Sequence, residues 1–116
     1  MKVIGIDATT CVVPLDSGVA IATRAIMERH FTMVRVRTDT GTEGIGFSYI
    51  GNKGGRLATL AVRDLLAELV VGRDPHQVEA IWDRMYRETL LHGRRGAVLR
   101  AISAVDIALW DAVSKE

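Results

Sequence analysis

Few side chains of this 116-residue sequence have the type and spacing that chemistry needs. The stretch Gly51-Asn52-Lys53-Gly54-Gly55 precedes a helical pattern, and free N–H groups at a helix start can cradle an anion. It is not a nucleotide-binding phosphate loop, because no Lys-Ser/Thr pair follows the last glycine. Taken alone it reads as a flexible loop ending at a helix start. Asp39 and Glu43 flank a turn, but a calcium loop needs more ligands over a longer span and a closing glutamate. His30, His76 and His92 fall in three different elements without ligand-like spacing. Cys11 has no histidine or basic neighbour to activate it and reads as a small strand residue. Asp106 and Asp111 sit about 140° apart around a helix and face different points, as hydrogen-bonding groups at a helix interface would. No nucleophile, base and electrostatic stabiliser come together, so the chain does not read as catalytic by itself.

The elements that would position these groups fall in two blocks. Val3 to Val13 reads as a first strand, with Ile4, Ile6, Ala8, Thr10 and Val12 on one face and Asp7 and Thr9 on the other. Pro14 to Met27 reads as a long irregular segment, too apolar for simple disorder and of the length expected of a lid or binding loop. His30 to Thr38 is a second strand, with Thr32, Val34 and Val36 on one face and Arg35 and Arg37 on the other. Asp39 to Gly44 is a hairpin connection with glycines for positive φ, and Ile45 to Ile50 is the third strand, antiparallel to the second.

After Gly55 the pattern is helical. Leu57, Leu60, Ala61, Leu65 and Leu69 recur at helical spacing up to Gly72. Asp74-Pro75 restarts the chain with an N-cap and a proline at the first helical position, and Gln77 completes a capping box. Val78, Ile81, Trp82, Met85, Tyr86, Thr89 and Leu90 then outline an amphipathic helix, which Gly93-Arg94-Arg95-Gly96 separates from the last one. Three strands followed by three helices define an α+β class: a three-stranded antiparallel meander with helices on one side.

The last helix, from Ala97 onward, is apolar over most of its circumference. Val98, Ile102, Val105 and Leu109 mark one face, and Ala101, Ala104, Ala108, Ala112, Trp110 and Val113 extend it. Such a helix expects neighbours on both sides, and the sequence offers it one at most. The chain therefore reads as a single domain, residues 1–116, of a larger protein cut at or within this helix. A formal net charge of +1 gives no electrostatic case for nucleic acid or an anionic membrane. One cysteine excludes an internal disulfide and suits a reducing, cytoplasmic setting, and no window approaches a membrane span.

The run Ala101-Ile-Ser-Ala-Val-Asp106-Ile-Ala-Leu-Trp110-Asp111-Ala-Val-Ser-Lys115 resembles the signature that ends the N-terminal domain of the mandelate racemase and muconate lactonizing group of the enolase superfamily. The earlier segments agree in order: Lys2-Val-Ile, a long loop, the strand pair around Thr40-Gly41-Thr42-Glu43-Gly44-Ile-Gly46, Gly-Arg-Asp-Pro75, then Trp82. Ser48-Tyr49 looks more like the mandelate racemase branch. The resemblance implies a capping domain, with catalysis in a (β/α)8 barrel that this chain lacks. There, three acidic residues hold magnesium, and Lys or His groups remove a proton next to a carboxylate. No metal ligand or catalytic residue can be carried onto this chain, which is expected to be inactive alone. What carries over is a pair of loops that close over the barrel mouth. They would be Asp16 to Arg24 and Ser48 to Gly55, with Val19 and Ile21 sequestering substrate and Arg24, Tyr49, Asn52 and Lys53 binding its polar end. The implied parent is a magnesium-dependent enzyme on a carboxylate or acid sugar, a dehydratase first and a racemase or epimerase next, with homo-oligomers expected. The competing reading is a free-standing α+β binding module that self-associates through its last helix.

Overall fold

The computed structural model describes residues 1–116. Three antiparallel strands, β1 (Val3–Ile21), β2 (Arg24–Thr38) and β3 (Glu43–Gly51), form one sheet in the order β1-β2-β3. A helical segment follows as α1 (Gly55–Ala61), a π-helical stretch (Val62–Leu66) and α2 (Ala67–Val70). Then come α3 (Val78–Glu88), a 3-10 turn (Leu90–His92) and α4 (Ala97–Ser114). The helices lie on one face of the sheet, so the α+β meander expected from the element order is the architecture found.

Register explains which strand residues are inside. Ala8, Val34 and Gly46 lie side by side across the sheet, as do Thr10, Thr32 and Ser48. Ala8, Thr32, Val34, Val36, Gly44 and Gly46 are buried beneath the helices. The expected inward face of β1 needs one correction. Two residues of β1 oppose one of β2 between Val3/Thr38 and Gly5/Arg37, and this bulge turns Val3 inward while Ile4 is 58% exposed. Val12 is also exposed, because the helical layer does not extend over that end.

The larger correction concerns Pro14 to Met27. This stretch is not irregular: β1 and β2 continue past β3 as a two-stranded arm whose two-residue turn is Ala22-Thr23. Four residues, Leu15 to Gly18, bulge opposite Met27 and bend the arm. Nothing packs over most of it, so both faces are exposed and the alternation that would betray a strand is missing from the sequence.

At the other hairpin, Gly41 takes φ 86°, as a tight turn requires, and the Thr38 hydroxyl donates to the Thr42 carbonyl at 2.9 Å. Gly44 is needed for space instead. A Cβ built on Gly44 would overlap the Ala108 carbonyl oxygen, and one on Gly46 would overlap that of Ala104. Helix α4 therefore lies backbone-to-backbone on β3, through the stripe Ala104, Ala108 and Ala112. Its opposite flanks meet α1 and α3, so the chain supplies α4 with the sheet and two helices rather than one neighbour at most. Ile107 and Trp110 stay about half exposed.

Two helical details also differ from expectation. In the first helical segment the buried residues are Ala58, Thr59, Ala61, Val62, Leu66, Leu69 and Val70, whereas Leu57 and Leu60 point outward. The small residues allow close approach to the sheet, and the π-helical turn inserts one extra residue that rotates Leu66 into the core. Asp74 is not the N-cap of α3, which starts four residues later at Val78, after Gln77. It closes a separate turn, its carboxylate accepting from the His76 backbone N–H at 3.0 Å and meeting the ring Nδ1 at 2.9 Å.

Candidate functional site

The bend in the β1–β2 arm brings Arg24, at its tip, beside the loop between β3 and α1. Arg24, Ala25, Asn52 and Lys53 line an open cavity of about 410 Å³. Two cations and an amide meet there, and no carboxylate lines the wall. Guanidinium, ammonium and amide donors in one recess can hold a carboxylate or a row of hydroxyls. Of the six residues expected to contact a ligand, the structure brings Arg24, Asn52 and Lys53 together.

The other three lie elsewhere. Val19 and Ile21 are exposed on the arm near its turn, 43% and 58% accessible, and do not line the cavity. Tyr49 is not in a loop, since β3 runs to Gly51. It stands on the sheet face away from the helices, where its ring lies 5.5 Å from that of Phe31, which in turn meets Phe47 edge-on at 6.1 Å. The second loop is thus shorter than Ser48 to Gly55: only Asn52 to Gly54 lie between strand and helix.

Both ends of that short loop are held by side chains that sequence reasoning missed. Arg100 of α4 donates to the Tyr49 carbonyl at 2.6 Å. The Gly55 N–H, at the start of α1, donates to His30 Nδ1 at 3.2 Å, and His30 Nε2 lies 2.9 Å from Glu28. A backbone N–H can only donate, so Nδ1 is the acceptor and the neutral ring carries its proton on Nε2, toward Glu28. Beneath, Thr59 joins Thr10 and Thr32 through hydroxyl contacts of 2.7 and 2.9 Å, tying α1 to β1 and β2. Apart from Glu28 and His30, which are neighbours on one strand, these partners lie 25 to 51 residues apart in sequence, beyond the reach of any local spacing signal.

The two acids of α4 separate as expected in position, but only one makes bonds. Asp111 accepts from Lys115 Nζ at 2.6 Å and from the Ile45 N–H at 2.8 Å, joining α4 to β3. These bonds, the Lys115 one foremost, hold its carboxyl below the ordinary carboxylate value. Asp106 lines a groove of about 310 Å³ with Val78, Glu79, Trp82 and Trp110, and partial burial pushes its carboxyl up. Asp74 is held low by the His76 backbone N–H and then by its side chain. No three His, Cys, Asp or Glu side chains converge, so the residues of this chain do not fit a magnesium site. No helix is long and apolar enough to cross a membrane.

This geometry has close counterparts. A racemase from Streptomyces coelicolor, solved with bound magnesium, superposes with a TM-score of 0.92 at 33% identity over 96% of this chain and 31% of that one. An L-talarate dehydratase from Polaromonas sp., complexed with magnesium and L-glucarate, superposes at 0.90 with 27% identity over 98% of this chain and 32% of the other. In sequence, an L-rhamnonate dehydratase from Saccharopolyspora erythraea is 43% identical over 83 residues, which are 72% of this chain and 20% of that protein. The chain thus spans between a fifth and a third of the length of these relatives. Residues 4–116 match the N-terminal domain of mandelate racemase and muconate lactonizing enzymes, and the chain belongs to that family.

Proposed function

We propose that these 116 residues form the capping domain of a magnesium-dependent enzyme that removes a proton next to a carboxylate, with an acid sugar as substrate. The carrying observation is the recess of Arg24, Asn52 and Lys53, where two arms of the fold bring cations and an amide together without an opposing acid. A dehydratase is the preferred activity and a racemase or epimerase the next, because the relatives include sugar-acid dehydratases and a racemase. Magnesium and the groups that move the proton would be held by the larger part of those relatives, outside the matched region. This domain's role is then to bind the distal end of the substrate and to exclude water over the reacting end. Alone it would turn nothing over.

The test is a magnesium-dependent screen of acid sugars with a polypeptide that carries this domain and the remainder found in its relatives. Arg24→Ala and Lys53→Ala should each raise KM at least tenfold and shift the preference among sugars. An unchanged preference in both Arg24→Ala and Lys53→Ala would remove the substrate-selecting role.

A second reading, a self-associating α+β module, draws on the exposed Ile107 and Trp110 of α4. Sedimentation of the 116-residue chain separates the two. A defined species with a cooperative melt favours the module, and aggregation with dye binding favours a domain that lacks its partner.

A further inference from the structure

We propose that His30 is a positioning residue that couples the two arms of the Arg24–Asn52–Lys53 recess and lets go of one of them when it is protonated. The inference uses the proposed role of the recess only for its consequence; the latch itself stands on geometry. Glu28, two residues before His30, lies at the base of the β1–β2 arm, beside the bulge opposite Met27. Gly55 ends the loop that presents Asn52 and Lys53. The imidazole bridges them, Nε2 to Glu28 at 2.9 Å and Nδ1 to the Gly55 N–H at 3.2 Å, with its side chain only 15% exposed.

Gly55 is part of the device. A Cβ there would stand 2.8 Å from Thr10 Cγ2 and 3.0 Å from His30 Cβ, so only glycine lets this amide reach the ring. The groups around His30 leave little else to answer a charge. Val12 and Gly51 sit opposite it on the flanking strands, and the Thr10 methyl shares with it the space beside Gly55 while the Thr10 hydroxyl is bonded to Thr59. Glu28 is its one ionic partner. Lys53 and Arg56, the cations of the adjoining loop and helix, are exposed.

Protonation acts on the two bonds in opposite ways. The Glu28 pair becomes a full ion pair and survives. On the other side the new Nδ1–H faces the Gly55 N–H, donor against donor, and that bond is lost. The β3–α1 loop keeps Arg100 on the Tyr49 carbonyl at one end and the Thr59 hydroxyl on the Gly55 carbonyl at the other, but loses the bond that ties its last amide to His30. In an active enzyme the outcome would be weaker substrate binding at low pH with less change in the chemical step.

Amide hydrogen exchange tests the latch without any substrate, on the polypeptide that carries this domain and the remainder found in its relatives. Corrected for intrinsic rates, Gly55 exchange should rise at least tenfold between pH 7.5 and 5.0 while Val34 and Val36 stay protected. The imidazole ¹⁵N signals should show an unprotonated Nδ1 at the upper pH. His30→Asn places an amide oxygen where Nδ1 was and cannot titrate, so it should keep Gly55 protected at both pH values. His30→Ala should leave it unprotected at both. The proposal is overturned if wild-type Gly55 protection does not change with pH, or if His30→Asn retains the pH dependence. Should the alanine variant fail to fold, the asparagine comparison decides alone. A working latch on a recess that binds no acid would sink the functional proposal and leave this one standing.

Discussion

The contact of α4 with β3 and the arm of β1 and β2 are built from the same sheet, yet they follow opposite rules. At the contact, two glycines and a stripe of alanines bring backbone against backbone, and no residue there can grow. In the arm, long apolar side chains such as Val19, Ile21 and Met27 stand in the open, and the pairing is carried by main-chain hydrogen bonds alone. The first region fixes where the recess is; the second supplies a wall of it. A scaffold that tolerates no change thus carries an arm that tolerates much, which is the division expected where specificity varies on a constant frame.

The comparison breaks most visibly at Gly44. Gly44→Ala should cost about 3 kcal/mol or more, because the added methyl meets a helix carbonyl and a helix nitrogen, neither of which can swing aside as a side chain would. Urea unfolding followed by circular dichroism measures it. Truncating a large residue in each region sharpens the contrast. Leu109→Ala, fully buried in α4, should cost about 3 kcal/mol. Ile21→Ala, 58% exposed in the arm, should change stability by less than about 0.5 kcal/mol. Equal losses at the two sites would mean that the arm is packed against something and that the contrast is false.

Legibility in the sequence follows the same divide. The inward faces of β2 and α3 could be read because burial on one side imposes a period on Thr32, Val34 and Val36 and on Val78, Ile81 and Met85. The arm could not, since a strand pair with no buried face has no reason to alternate. Leu57 and Leu60 misled for the reverse reason: where a helix approaches a sheet closely, alanines face the core and leucines are left outside. Asp74 carried the right chemistry for a cap but spends it on His76. Arg24, Asn52 and Lys53 were reached through the family resemblance, and their meeting depends on the bend of the arm, which no spacing encodes. The links of His30 to Gly55 and of Arg100 to Tyr49 gave no sign at all, since each joins a side chain to a distant backbone atom.

A smaller effect is expected at the tip of the arm. Ala22 holds φ 52° at the first central position of its two-residue turn, where an L side chain crowds the following carbonyl. Ala22→Gly removes that crowding, and relief of roughly 1 kcal/mol locally should appear as slower amide exchange in the arm. Global unfolding should barely move if the arm opens independently of the scaffold. A gain seen equally in the melting of the whole domain would show that arm and scaffold unfold as one unit.

The subtlest contrast lies within α4 itself, between two carboxylates in unlike surroundings. Asp111 has a folded value below its ordinary 3.8, so its contribution is present above that value and fades as pH falls below it. Asp106 has a folded value above 3.8, so the fold is weakened when it ionises and recovers as pH falls toward 3.8. Asp111→Asn should therefore lower stability at pH 7, and Asp106→Asn should raise it. Both differences should shrink on acidification, the second at the higher pH, as read from urea midpoints between pH 7 and 3. Were Asp106→Asn destabilising at pH 7, the fold would favour the ionised carboxylate, and burial in the groove with Trp82 and Trp110 would not be what governs it.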